Sequence, residues 1–218
     1  MGIFITFEGV EGCGKTTQLK LLKKRLEDAG TKVTATREPG GCPIADQMRA
    51  ILLDANNSAI TPLAELLLYA AARAQHVQEV IVPALERGET VLCDRFTDAT
   101  VAYQGHGREL DLDVIGLLNG LATGGVSPAL TILIDCPVEL GLSRALSRIE
   151  AAAGAREERF ELESVRFHER VRAGYLALAA AQPERFVVVD GSGDVARTEK
   201  LVLAALEKRL PAAAALGA

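Results

Sequence analysis

"FEGVEGCGKTTQ", residues 7–18, decides the architecture. Within it Gly9–Thr16 reads G-V-E-G-C-G-K-T, which fills the phosphate-binding pattern GxxxxGK[ST] in full. The apolar run "IFITF" (3–7) precedes it, and in the stretch that follows, 15–29, Leu19, Leu22 and Leu26 recur at helical spacing. Strand, glycine-rich loop and helix in that order let backbone N–H groups converge on phosphate oxygens, with the positive end of the helix behind them. Lys15 is placed to reach the β- and γ-phosphates, and the Thr16 hydroxyl to ligate Mg²⁺. The expected nucleoside triphosphate site is therefore Gly9, Val10, Glu11, Gly12, Cys13, Gly14, Lys15, Thr16 and Thr17. An ordinary strand-to-helix turn is the competing reading, and the complete motif in its full context speaks against it. Glu11 is the exception, a negative charge in a loop shaped for anions.

Outward from the loop, the chain alternates short apolar runs with longer helical ones. "KVTATR" (32–37), "TVLCD" (90–94), "LTILID" (130–135) and "RFVVVD" (185–190) join the first run to make five strands. Helical stretches fall near 43–54, 62–87, 111–122, 137–149, 161–181 and 194–209, with Pro62 and Pro137 suited to first turns. This alternation predicts an α/β fold with a parallel five-stranded sheet flanked by helices. The 218 residues fit one domain, 1–218, with a lid-like segment at about 149–160 and a tail at about 211–218.

Composition narrows the function. Hydrophobic residues make up 49% and aromatics 4%, so the core is aliphatic. A net charge of −5 argues against a nonspecific nucleic-acid binder or a membrane-surface protein. Cys13, Cys42, Cys93 and Cys136 form no CxxC pair, which disfavours zinc and a disulfide framework and suits buried thiols in a reducing compartment. The run before Glu8 is too short for a signal peptide, and no apolar run approaches the ~20 residues of a membrane span. The expected location is the cytoplasm.

Ligands of such sheets bind at the carboxyl edge. "TREPGG" (36–41) and "CDRF" (93–96) end two strands there, so Arg37 and Arg95 face the crevice of the phosphate loop and make a receptor for a second phosphate. Asp94 is placed to orient Mg²⁺ through water. A surface ion pair remains the plain reading of either arginine alone. Tyr69 and Arg73, four apart on a helix, offer a ring and a hydrogen-bonding fork for a base, although an amphipathic helix often buries such a pair. No NKxD element of a guanine-specific switch is present.

These residues resemble the thymidylate kinase family, bacterial type, over roughly residues 3 to 190. The resemblance is carried by "FEGVEGCGKTTQ", "TREPGG", "AARAQHV" (71–77), "CDRF", "AYQG" (102–105) and "ERFE" (158–161). It implies a P-loop nucleoside monophosphate kinase-like fold, transfer of the ATP γ-phosphate to dTMP with Mg²⁺, and a homodimer. It also implies that Arg37 and Arg95 hold the dTMP phosphate, Tyr69 stacks on thymine, and Arg73 bonds thymine O4. Tyr103 then crowds the sugar C2′, Thr100 and Gln104 lie near the base or sugar, and Glu11 accepts from the sugar 3′-hydroxyl. Ala72, where family members often have Asp, is expected to loosen Arg73. Some members carry an Arg at the position of Gly12; here a lid cation must replace it, drawn from Arg144, Arg148, Arg156 and Arg159. Arg156 is the first choice and Arg148 the second, with a charged solvated face as the plain reading of "REERFELE" (156–163). A kinase for another small phosphorylated or hydroxyl acceptor, and a non-enzymatic P-loop switch, are the rival functions.

Overall fold

The computed structural model describes residues 2–151 and 159–210. Five parallel strands form one sheet: β1 (Phe4–Glu8), β2 (Val33–Arg37), β3 (Thr90–Asp94), β4 (Leu130–Asp135) and β5 (Phe186–Asp190), in the order β2-β3-β1-β4-β5. Helices cover both faces, as parallel strands require. Central β1 is wholly buried, with Ile5 and Phe7 at 0% exposure, because it has a strand on each side and helices above and below. Edge strand β2 alternates and is half open.

Register places the site. Phe7 lies opposite Asp94, and Asp94 opposite Arg37, so β1, β3 and β2 end level with one another. The phosphate loop leaves β1 one residue later and enters α1 (Lys15–Asp28). Any group following those strands opens into the same crevice.

The helices after α1 are α2 (Pro43–Leu53), α3 (Pro62–His76), α4 (Val82–Glu86), α5 (Thr97–Thr100), α6 (Leu112–Thr123), α7 (Val138–Ala151), α8 (Val165–Ala181) and α9 (Val195–Arg209). Two differ from expectation in kind, and a third in where it begins. The single helix expected over 62–87 widens into a π-helical turn at Val77–Ile81 between α3 and α4. Pro83 accounts for it: proline lacks the N–H for the residue four back and crowds that carbonyl, so the turn before it expands. The other is α5, which runs on as a π-helical segment, Val101–Gly107, where the sequence offered no helical periodicity. The expected helix at 161–181 begins only at Val165, where the Ser164 hydroxyl caps it by accepting from the Phe167 N–H. Most of the expected lid, 152–158, and the expected tail, 211–218, lie outside the described residues.

Candidate active site

A cleft of about 1660 Å³ runs along the carboxyl edge of the sheet. That exceeds the ~300–1,000 Å³ of an ordinary small-molecule pocket and leaves room for two nucleotides. Glu11, Gly12, Cys13, Gly14, Lys15, Thr16 and Thr17 line one end, whereas Gly9 and Val10 lie behind them in the loop. Lys15, only 6% exposed, donates from Nζ to the carbonyls of Gly9 (2.9 Å) and Val10 (2.8 Å). Thr16 Oγ1 donates to Asp94 Oδ2 at 2.5 Å. A hydroxyl and a carboxylate are hard oxygen donors, the kind Mg²⁺ prefers. Among the described residues no cluster of three or more His, Cys, Asp or Glu could hold a metal, so a divalent cation here would need substrate oxygens.

Gly12 explains the missing loop arginine. Its φ is +66°, and a Cβ there would sit 1.9 Å from the carbonyl oxygen of Gly141 on α7. With α7 packed this close, the loop has no room for a side chain at that position.

The far end of the cleft is a network of side chains from distant elements. Arg95 has φ +73°, a left-handed backbone that costs a non-glycine residue of order 1–2 kcal/mol. It is held there by its own N–H on Phe7 O (3.0 Å) and by the next N–H, Phe96, on Glu8 Oε1 (2.7 Å). The strained turn sends the guanidinium back over the loop. Three of its five N–H donors reach Gly9 O, the Tyr175 hydroxyl and Glu11 Oε1, and its face lies over the Tyr103 ring at 4.9 Å. Glu11 Oε1 also accepts from the Tyr103 hydroxyl at 2.5 Å, and Oε2 lies 3.2 Å from His168 Nδ1. Burial alone would raise the Glu11 carboxyl, but Arg95, His168 and Lys15 outweigh it and hold it well below the usual carboxylate range. Glu8 beneath goes the other way. Burial, with Asp98 nearby, pushes it up to about 8 against the pull of Arg95 and Tyr175.

Another wall of the cleft comes from α3 and the π-helical segment. Arg73, 2% exposed, donates to Glu38 (2.7 Å), Asn119 (2.8 Å) and the Phe96 carbonyl (3.1 Å). Glu38 also meets His76 Nδ1 at 2.9 Å. The expectation that Ala72 loosens Arg73 is thus corrected: Ala72 is buried against Cys42 and Ala45, and Glu38 with Asn119 fixes the arginine instead. Tyr69 and Thr100 line the cleft, and Thr100 Oγ1 is a buried hydroxyl without a hydrogen-bond partner among the described residues. Tyr103 and Gln104 line it too; Gln104 donates to Glu65 at 2.9 Å.

The arginines sort by attachment. Arg37 is exposed, pairs with Asp46 at 3.1 Å and lines the cleft. Arg144 donates to the carbonyls of Gly191, Ser192 and Gly193, which shapes the loop after β5. Arg159 is buried against Leu52 O and Glu65 Oε2. Arg144 also lines the cleft, whereas Arg159 does not. Arg148 is exposed on α7 and lines the cleft; Arg156 lies outside the described residues. Sequence reading missed Arg49, which lines the cleft from α2, together with Glu38, Asn119, His168 and Tyr175. For Glu38 the signal lay inside "TREPGG"; the others stand in no motif.

All four cysteines are free and buried, and burial pushes the Cys136 thiol up to about 11.

Comparison with known proteins bears on this geometry. The thymidylate kinase family's sequence profile matches residues 7–202. The thymidylate kinase of Citrifermentans bemidjiense is 81% identical over 210 residues, covering 96% of this chain and 93% of that one. That of Geobacter sulfurreducens is 62% identical over 211 residues, covering 97% and 99%. The crystal structure of thymidylate kinase from Ehrlichia chaffeensis superposes with a TM-score of 0.70 at 35% identity, covering 86% of this chain and 92% of that one.

Proposed function

The chain belongs to the thymidylate kinase family, and from that premise we propose how its cleft carries out the family's reaction. The fold is that of a P-loop nucleoside monophosphate kinase, and the reaction is transfer of the γ-phosphate of ATP to dTMP, giving dTDP for dTTP synthesis. We read the whole chain, 1–218, as one kinase domain. ATP lies on the Gly9–Thr17 loop. Lys15 leaves the Gly9 and Val10 carbonyls for the β- and γ-phosphate oxygens, which are better acceptors. Thr16 and Asp94 would hold Mg²⁺, whose positive charge would offset the negative charge of the phosphates.

The acceptor lies at the other end. Arg37 and Arg95 take its phosphate, with Arg49 beside them. Arg73, Tyr69, Thr100 and Gln104 face the base; Tyr103 closes on the sugar, and Glu11 accepts from the 3′-hydroxyl. Glu11 Oε2 supports that role because it is buried with no linear hydrogen bond of its own. Catalysis is then positioning and charge neutralisation, with no covalent intermediate. Lys15, Arg95 and a lid arginine, Arg156 or Arg148, stabilise the moving phosphoryl group.

One observation carries the reading: two anion receptors of different construction open into one cleft of a chain whose net charge is −5. The test is to mix the protein with Mg·ATP and dTMP, with dUMP, dCMP and dGMP in parallel, and to look for the diphosphate. Preferential dTDP formation is expected. ATP hydrolysis without a nucleoside diphosphate product, or a better acceptor than dTMP, would overturn the acceptor assignment.

The protein acts as a homodimer in the cytoplasm. The support for a dimer is an apolar face on α6 and α3, where Leu117 is 66%, Leu121 72%, Leu63 54% and Leu67 48% exposed. Such a patch on two packed helices marks an association surface. Sedimentation at micromolar concentration is expected to give twice the chain mass, and Leu121→Glu to give monomer. No helix among the described residues is long and apolar enough to cross a membrane.

A further inference from the structure

His168 lies on α8, outside every motif of the sequence, and its ring is fully buried. Its two nitrogens face two different parts of the site. Nε2 lies 3.0 Å from the backbone oxygen of Phe160, and Nδ1 lies 3.2 Å from Glu11 Oε2. A carbonyl oxygen only accepts, so Nε2 carries a proton. Nδ1 faces the carboxylate, and neither it nor Glu11 Oε2 has a hydrogen-bond partner among the described residues. Burying a ring between two acceptors costs desolvation that a phenylalanine there would not incur. What the ring supplies in return is a fixed place for Glu11, whose other oxygen is already tied to Tyr103 and Arg95. The Nδ1 contact is close but is not a linear hydrogen bond, and so leaves Oε2 able to accept from a ligand.

We propose that His168 is a positioning residue for the acceptor: it holds Glu11 so that Oε2 meets the sugar hydroxyl of the monophosphate. This rests on the reading of Glu11 given above. Two substitutions separate the ring's two contacts. The amide nitrogen of His168→Asn falls near Nδ1 and keeps a polar N–H against Glu11; that of His168→Gln falls near Nε2 and keeps only the donor to Phe160. His168→Gln is expected to raise KM for dTMP about tenfold, the scale of one lost polar contact, with KM for ATP unchanged. His168→Asn is expected to recover most of that loss. With 3′-deoxythymidine monophosphate as acceptor, the two variants and the wild type are expected to coincide.

Equal KM values for the two variants with dTMP, or a shift that persists with the 3′-deoxy acceptor, would overturn the proposal. Glu11→Gln serves as the reference. If it fails to distinguish dTMP from the 3′-deoxy acceptor, the reading of Glu11 is wrong. If it distinguishes them and the His168 variants do not, only the present proposal falls. Should both variants misfold, the wild-type protein still decides. Its His168 ring ¹⁵N resonances are expected to move when dTMP is added and to stay in place with the 3′-deoxy compound, and equal movement would refute the role.

Discussion

At the donor end of the cleft, the lining is a continuous loop of backbone between β1 and α1, with one buried cation, Lys15, folded onto the loop's own carbonyls. At the acceptor end, the receptor is side chains already paired with one another: Arg95 with Glu11, Arg73 with Glu38, and Tyr175 with Glu8. The donor end can therefore be disabled by one substitution without disturbing the fold. The buried part of the acceptor end cannot, because its side chains also hold β1, β3, α3 and α8 together. The physical difference is desolvation: buried charges persist only in pairs, so removing one member strands the other.

Lys15→Ala tests the donor side of that contrast and carries the largest effect. Turnover is expected to fall on the order of 10³-fold or more, the scale of a lost charge contact in phosphoryl transfer, while the thermal midpoint stays within a few degrees of wild type. Near-normal turnover would break the loop assignment, and loss of folding would break the claim that the donor end is separable.

The acceptor side is tested by two arginines that differ in burial. Arg73 and Glu38 are 2% and 3% exposed, whereas Arg37 and Asp46 are 54% and 45%. Arg73→Ala is expected to cost about 3–5 kcal/mol of stability, because Glu38 is left buried with less compensation. Arg37→Ala is expected to cost less than about 1 kcal/mol in urea unfolding, yet to raise KM for dTMP on the order of 100-fold through a lost phosphate contact. Equal losses of stability would erase the distinction between buried and exposed arginines.

Glu8 sharpens the contrast through pH. Its ordinary value is 4.5, and burial with Asp98 nearby pushes it up to about 8 in the folded chain. Between those values the native state holds a proton that the unfolded state has released. The favourable contribution is therefore complete below about 4.5 and is lost as pH rises through about 8. From pH 5.5 to 8.5 the wild-type unfolding free energy is expected to fall, on the order of 3 kcal/mol further than that of Glu8→Gln, which stays neutral throughout. Parallel pH curves would place the titration elsewhere.

How much of this could be read in the chain follows from the same difference. The phosphate loop is contiguous, so its motif and its position after a strand were plain in residues 7–18. Five strands were legible because apolar runs alternated with helical ones, and Arg37 and Arg95 because they stand at strand ends that the register brings level. The acceptor network was not legible in full. His168 and Tyr175 reach it from α8 and Asn119 from α6, with no local pattern to announce them. Arg144 and Arg159 carried the right charge in the right region, and only three-dimensional contacts show that carbonyls and Glu65 hold them. The π-helical turn at Val77–Ile81 escaped because apolar spacing over five residues does not distinguish it from ordinary helix, and the segment at Val101–Gly107 because it carries no helical periodicity.

Thr100 offers the smallest effect and the finest test. Its hydroxyl is buried in the cleft wall without a hydrogen-bond partner among the described residues, an arrangement that costs folding free energy. Valine has nearly the same shape and no hydroxyl to satisfy. Thr100→Val is therefore expected to leave stability unchanged or raise it by up to about 1 kcal/mol. If the hydroxyl is kept for the acceptor base, the same substitution weakens dTMP roughly fivefold, since a neutral hydrogen bond to a ligand contributes about 1 kcal/mol. Opposite signs in unfolding and in KM are what separate an unpaired group kept for a ligand from one that only packs. A variant that gains stability with no change in KM would remove Thr100 from the acceptor wall and leave base recognition there to Arg73, Tyr69 and Gln104.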